Sequence, residues 1–281
     1  MRRAVCSLAL VLRLTASFEF LQPFRTRAEL PAMLEAMGLR TGVELGTERG
    51  IFTSTMLHGW PSCINYTQVD LWSEKALKGS HYKDSQSNHN VKYQTMLGQK
   101  IPRPDCTATF GDAHVRWPNP TCGLSLRKCH NFTTACATEF SDAAVDFVYV
   151  DALHDRVGVL RDLEAWWPKL RAGGVMAGHD YMTQDDLNSF NDKAAGTKWP
   201  QQQNIDGTFD TEGGMVKGAV DDFFSCAVVV GDGHERAPER KRTAAHCDHL
   251  RTVIVAYGAQ VPNSKNRHDA DDWPRSWYVK K

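Results

Sequence analysis

The sequence predicts an α/β domain built on a doubly wound, mostly parallel sheet. Three observations lead there. Short apolar runs of strand length alternate with stretches of helical period along most of the chain. The run Val145–Val150 (VDFVYV) is almost continuously apolar, the pattern of a strand covered on both faces. Acidic or imidazole residues follow one strand after another, where a parallel sheet gathers its ligand-binding groups.

The elements follow in order. Ala28–Met37 has the spacing of a short amphipathic helix closed by Gly38. Thr41–Gly46 is a strand running into a glycine turn, Ile51–Leu57 opens a helix, and Tyr66–Leu71 is the second strand. Ser73–Gln99 is polar and reads as a loop or lid, with a short helix near Val91–Leu97. Thr107–Phe110 is the expected third strand, ending at Gly111-Asp112-Ala113. His114–Asp142, rich in Pro, Cys, Thr and Asn, shows no sustained period and reads as an insertion. After Val145–Val150, Asp155 caps a helix reaching Leu170; Gly173-Gly174 ends it, and Val175–Gly178 is the next strand. Met215–Phe224 is helical, Arg236–Arg251 is a basic surface loop, and Thr252–Tyr257 and Ser276–Val279 are closing strands.

With 281 residues the chain suits one domain from about residue 26 onward, with an insertion at about 114–142. Lys+Arg and Asp+Glu are both 33, and this neutral balance argues against a nucleic-acid binder that works by bulk electrostatics. No apolar stretch is long enough for a membrane-spanning helix. Arg2, Arg3 and Arg13 around the apolar run Ala4–Leu12 give residues 1–25 the pattern of a targeting segment, secretory or organellar; an ordinary amphipathic helix in a cytoplasmic protein is the alternative. Cys122, Cys129 and Cys136 are spaced by seven, wider than zinc pairs, and read as disulfide-type or incidental. The sequons Asn65-Tyr66-Thr67 and Asn131-Phe132-Thr133 lean the same way, toward an oxidising compartment.

The strand ends carry the chemistry. Glu44-Leu-Gly46-Thr47-Glu-Arg-Gly50 is a glycine turn that lets a ligand approach the backbone, without the glycine arrangement that seats a pyrophosphate. A side chain at Gly46 is therefore expected to block the ligand and leave the fold intact. Asp70 ends the second strand, 20 residues beyond Gly50, where an acid accepts hydrogen bonds from ribose hydroxyls. Asp112 follows the third strand, Asp151 and His154 the fourth, and His179-Asp180 the fifth.

These stretches resemble the class I S-adenosylmethionine-dependent methyltransferases. The resemblance rests on Gly42–Gly50, Phe147–His154 and Asp162–Tyr181, the last two being similar to small-molecule and sugar O-methyltransferases. It implies a Rossmann-like fold and an S-adenosylmethionine cofactor. Glu44 and Gly46, with Thr47 and Gly50 in the same turn, would lie near the methionine part. Asp70 would hold the ribose, and Asp112 with Ala113 would flank the adenine. The expected partner is a small-molecule acceptor.

Asp151, His179 and Asp180, on strands expected to be neighbours, form an oxygen-rich donor set suited to Mg²⁺ or Mn²⁺. His154, three residues after Asp151, is the expected proton acceptor, and Asp151 its catalytic companion. Two other readings are a nicotinamide-dependent oxidoreductase on a related sheet and a non-catalytic secreted binding domain on a methyltransferase scaffold. No motif specifies the acceptor or the oligomeric state.

Overall fold

The computed structural model describes residues 26–72, 91–96, 115–116, 123–182, 215–225, 227–230, 239–242, 251, 253–255 and 276–281. The expected strand Thr107–Phe110, with Asp112 and Ala113, lies outside them, as do residues 1–25.

The central strands are β1 (Thr41–Leu45), β2 (Asn65–Asp70), β5 (Val145–Val150) and β6 (Leu170–Gly178). With β3 (Val115–Arg116), β4 (Ser125–His130), β9 (Ile254–Val255) and β10 (Trp277–Lys280) they form one sheet in the order β3-β4-β2-β1-β5-β6-β10-β9. The five strands from β4 to β6 run parallel, while β3, β9 and β10 pair antiparallel at the two margins. From β1 the chain winds outward through β2 to β4, then returns to β5 on the other side of β1. Strand order therefore reverses between β1 and β5, the point where such sheets open a crevice.

Two apolar layers cover the sheet. On one face, α1 (Leu30–Ala36) and α2 (Ile51–Gly59) pack Leu34, Met56 and the following Trp60 against Tyr66, Phe147 and Tyr149. On the other, α3 (Thr133–Ala137), α4 (Arg156–Trp166) and α5 (Met215–Ser225) cover Val43, Val148 and Met176, with Leu163, Trp166 and Phe224 among the buried contacts. All six residues of β5 are buried, as its almost continuous apolar run requires of a strand covered on both faces. Asp155 caps α4, its Oδ1 accepting from the Gly158 amide at 2.9 Å.

Three expectations change. The insertion at about 114–142 is smaller than its composition suggests: Ser125–His130 within it is a sheet strand paired in parallel with β2, and Thr133–Ala137 is a helix on the sheet. The Gly173-Gly174 pair does not precede a strand but lies inside one. β6 starts at Leu170, and its register against β5 shifts between Val145 and Phe147, so the glycines accommodate an irregularity in the ladder. The basic loop Arg236–Arg251 contains β8 (Glu239–Arg242), which pairs antiparallel with β7 (Ala227–Val230) in a separate two-stranded sheet.

Cys129 and Cys136 form a disulfide with Cα atoms 6.1 Å apart, joining the end of β4 to α3. Cys63 is a buried cysteine outside the disulfide, its thiol donating to Asn65 O at 3.4 Å, and both sequon asparagines, Asn65 and Asn131, are exposed. Among the described residues no helix is long and apolar enough to cross a membrane.

Candidate active site

The carboxyl edge of the parallel strands is extended by one further set of backbone hydrogen bonds. The Gly46 amide donates to Val69 O at 2.8 Å, Asp151 to Leu45 O at 2.9 Å, and His179 to Val150 O at 3.2 Å. Asp70, Gly46, Asp151 and His179 therefore stand in a row above β2, β1, β5 and β6, with the reversal point in the middle.

The turn after β1 takes three left-handed residues, Gly46 (φ 84°), Glu48 (φ 49°) and Gly50 (φ 71°). Asp70 holds it in place. Its Oδ2 accepts from the Glu48 amide at 2.7 Å and its Oδ1 from the Trp72 amide at 3.1 Å, while Trp72 Nε1 donates to Glu48 O at 2.8 Å. An acid at this position thus ties the β2 end to the glycine turn. Thr47 is buried beneath the turn, and Gly50 precedes the first residue of α2.

Glu44 does not offer its carboxylate at the edge. It is 2 % exposed and points into the layer under α2, where Thr53 donates to Oε2 and the Tyr66 hydroxyl donates to the same atom at 3.0 Å. Burial pushes its pKa up to about 8, against the pull of those two hydrogen bonds. The family resemblance implies a place near the methionine part of the cofactor; strand alternation turns the Glu44 side chain to the helix-covered face.

At the end of the strand beside β2, the structure has His130, the register partner of Asp70. Its ring lies 5.6 Å from that of Trp72 and 5.8 Å from that of Tyr93, in the helical segment 91–96. Lys128 Nζ donates to the Tyr93 hydroxyl at 2.8 Å. This aromatic group was not apparent in the sequence, because β4 (SLRKCH) is mostly polar.

The other half of the edge is ionic. His154 lies between two carboxylates, with Nε2 3.3 Å from Asp151 Oδ1 and Nδ1 3.0 Å from Asp180 Oδ2. Burial works against its charge, but Asp180 and Asp151 outweigh it and raise its pKa to about 9. His179 Nδ1 faces the other oxygen of Asp180 at 3.2 Å. Burial would raise the pKa of Asp180, yet His154 and His179 hold it well below the usual carboxylate range. Asp180 adopts φ 58°, an unfavourable backbone geometry of the kind that clusters at functional sites. Its side chain is 4 % exposed, against 21 % for Asp151.

Arg27 completes the group. Its Nη1 is 3.8 Å from Asp151 Oδ2 and 3.4 Å from the Tyr149 hydroxyl, to which it donates. No local pattern marks it, since it lies 122 residues from Tyr149 in sequence.

The donor set suits a divalent cation. Ligand atoms of Asp151, His154 and Asp180 all lie within 4.8 Å of one another. The compact trio contains His154 rather than the expected His179, which stands on the far oxygen of Asp180.

A parallel sheet reversing at β1/β5, with a glycine turn and a row of acids and imidazoles at its carboxyl edge, defines a Rossmann-like α/β domain whose candidate site lies at the switch point. Residues 43–181 match the family described as a methyltransferase domain. No curated protein matches the chain. Among solved structures, it is similar to a protein from Corynebacterium glutamicum at 13% identity and TM-score 0.43, covering 92% of this chain and 82% of that one. An O-methyltransferase from Bacillus cereus in complex with SAH is similar at 13% identity and TM-score 0.43, over 90% of this chain and 80% of that one. An O-methyltransferase family protein from Burkholderia thailandensis is similar at 12% identity and TM-score 0.41, over 90% and 55% respectively.

Proposed function

We propose that this domain transfers a methyl group from S-adenosylmethionine to a hydroxyl of a small molecule or sugar. The observation that carries the reading is the position of His154, an imidazole flanked by Asp151 and Asp180 beside the glycine turn of a methyltransferase domain.

In this reading the cofactor lies over the turn from Gly46 to Gly50. Each Asp70 oxygen accepts one backbone amide, and a ribose hydroxyl would donate to the same carboxylate. His130 and the neighbouring Trp72 and Tyr93 flank the base.

The acceptor oxygen attacks the methyl carbon in line with the sulfonium sulfur. A C–O bond forms, the C–S bond breaks with its electron pair returning to sulfur, and S-adenosylhomocysteine leaves. The hydroxyl proton passes to His154. Asp180, the more buried partner, faces Nδ1 as an ion pair, and Nε2, on the Asp151 side, is the atom that receives the proton. The acceptor hydroxyl takes the place of Asp151 at Nε2, removing part of the negative charge that keeps the imidazole protonated. A divalent cation, Mg²⁺ or Mn²⁺, would be held by Asp151 and Asp180 with His179, leaving His154 to take the proton, and would supply charge that acidifies the acceptor hydroxyl. The remaining contribution is alignment of oxygen, methyl carbon and sulfur.

The test is transfer of labelled methyl from S-adenosylmethionine to a panel of sugars, phenols and hydroxy acids, with calorimetric titration of S-adenosylhomocysteine and NAD. Binding of S-adenosylhomocysteine and label in a hydroxyl ether are expected. Binding of NAD without S-adenosylhomocysteine would overturn the reading.

A further inference from the structure

Arg27 enters the site from outside the matched segment 43–181, on a turn anchored by the core. The 3-10 turn Arg27–Glu29 leads directly into α1, whose Leu30, Pro31 and Leu34 are buried. Gly59 of α2 sits so close to Pro31 that a Cβ there would fall 2.7 Å from the Pro31 Cβ. The turn cannot shift without opening that packing. From it the Arg27 side chain passes over the Phe52 ring, 5.3 Å from its centroid, and Phe52 stacks on Tyr149 at 4.0 Å. The guanidinium then reaches the Tyr149 hydroxyl and the Asp151 oxygen that faces away from His154.

This edge gathers Asp151 and Asp180 within reach of the same imidazole, His154. Carboxylates so close together in a partly dry site repel one another unless positive charge is supplied. His154 supplies part of it at Asp151 Oδ1 and Asp180 Oδ2, and Arg27, a permanent cation, supplies it at the other Asp151 oxygen. Burial disfavours the Arg27 charge, but Tyr149, Asp151 and Asp180 more than compensate, and its proton is held more firmly than usual. A divalent metal would supply the same charge to the same two acids. It would need a bare Asp151 oxygen at about 2.0–2.6 Å, whereas the guanidinium already faces one of the two. Metal and Arg27 are thus alternatives at one carboxylate.

We propose that Arg27 is the built-in counter-cation of this site, competing with a divalent metal for Asp151, so that a metal gains full hold on Asp151 only when the guanidinium is displaced. This rests on the reading of Asp151 and Asp180 as the cation-binding pair.

The experiment is Mn²⁺ titration of the full chain followed by electron paramagnetic resonance. It compares the unaltered protein, Arg27→Met, Arg27→Lys and the double variant Arg27→Met/Asp151→Asn. Arg27→Met is expected to bind Mn²⁺ at least about tenfold more tightly, by removal of a competing charge. Arg27→Lys should stay near the unaltered protein, and the double variant should lose the gain. Equal Mn²⁺ affinity with and without Arg27, including binding by neither, overturns the proposal, as does a gain that survives Asp151→Asn. If circular dichroism shows that Arg27→Met does not fold, Arg27→Gln, which keeps a polar contact to Tyr149, carries the same comparison. S-adenosylhomocysteine titration runs alongside. Its failure in the unaltered protein would sink the methyltransferase reading, whereas intact binding with unchanged Mn²⁺ affinity would sink the role of Arg27 alone.

Discussion

Gly46 is seated directly against the main chain of Asp151: a Cβ at Gly46 would lie 2.0 Å from the Asp151 carbonyl oxygen. The residue that turns the chain after β1 and the acid that ends β5 therefore share one close backbone contact. Both the contact and the φ of 84° demand glycine. Gly46→Ala should push the β5 end outward and displace Asp151 as well as the turn. Thermal melting should show a loss of about 2 kcal/mol or more, together with weakened S-adenosylhomocysteine binding. This replaces the expectation that a side chain here would leave the fold intact. A variant that melts like the unaltered protein would refute the contact.

Asp70 holds the Glu48 and Trp72 amides, one with each oxygen. Asp70→Ala should free the turn and lower S-adenosylhomocysteine affinity by about tenfold or more, as losing charge-assisted hydrogen bonds does. Calorimetric titration reads it directly, and an unchanged Kd would remove Asp70 from the cofactor site.

His154→Ala should slow methyl transfer by about 10²–10⁴-fold, the usual range for a lost acid–base group. Cofactor affinity should hold, because the imidazole faces Asp151 and Asp180 rather than the turn from Gly46 to Gly50. Parallel loss of turnover and cofactor binding would instead mark His154 as a structural prop.

Asp162, on α4, is buried and accepts from the Thr133 hydroxyl. Burial pushes its pKa up to about 7, assisted by Asp155 and opposed by the Thr133 hydrogen bond. Between the unfolded value near 3.8 and about 7, the folded state retains a proton that the unfolded state has lost. Stability therefore falls as pH rises through that window and levels off above it. Asp162→Asn keeps an acceptor for Thr133 and removes the charge. It should raise Tm at pH 8 by on the order of several degrees, with little effect at pH 4. Calorimetric melts at the two pH values check it; equal effects at both would be the contrary result.

The parallel core was legible because burial on both faces leaves an apolar signature. Val145–Val150 coincides with β5, and Thr41–Leu45 and Asn65–Asp70 fall where their patterns place them within a residue. Asp155 was legible as a cap because its role is local to one helix end. β4 was hidden for the opposite reason. Only two of its six residues are buried, so Ser125–His130 carries no period, and its Cys-rich surroundings suggested an insertion. Glu44 lay in a recognisable motif, but the face its side chain takes depends on which helix covers that side of β1.

From sequence alone came the α/β class, the glycine turn, and a set of acids and imidazoles at strand ends, since these depend on local period and on residues a few positions apart. Only the tertiary structure decided which of those groups meet. His154 lies between Asp151 and Asp180 because β5 and β6 are neighbours in parallel register. Arg27 joins them because α1 docks beneath α2 and carries the preceding turn to the sheet edge. Contacts between residues more than a hundred positions apart leave no trace in local hydrophobic pattern; they exist only once packing of the two layers has fixed the distance between them.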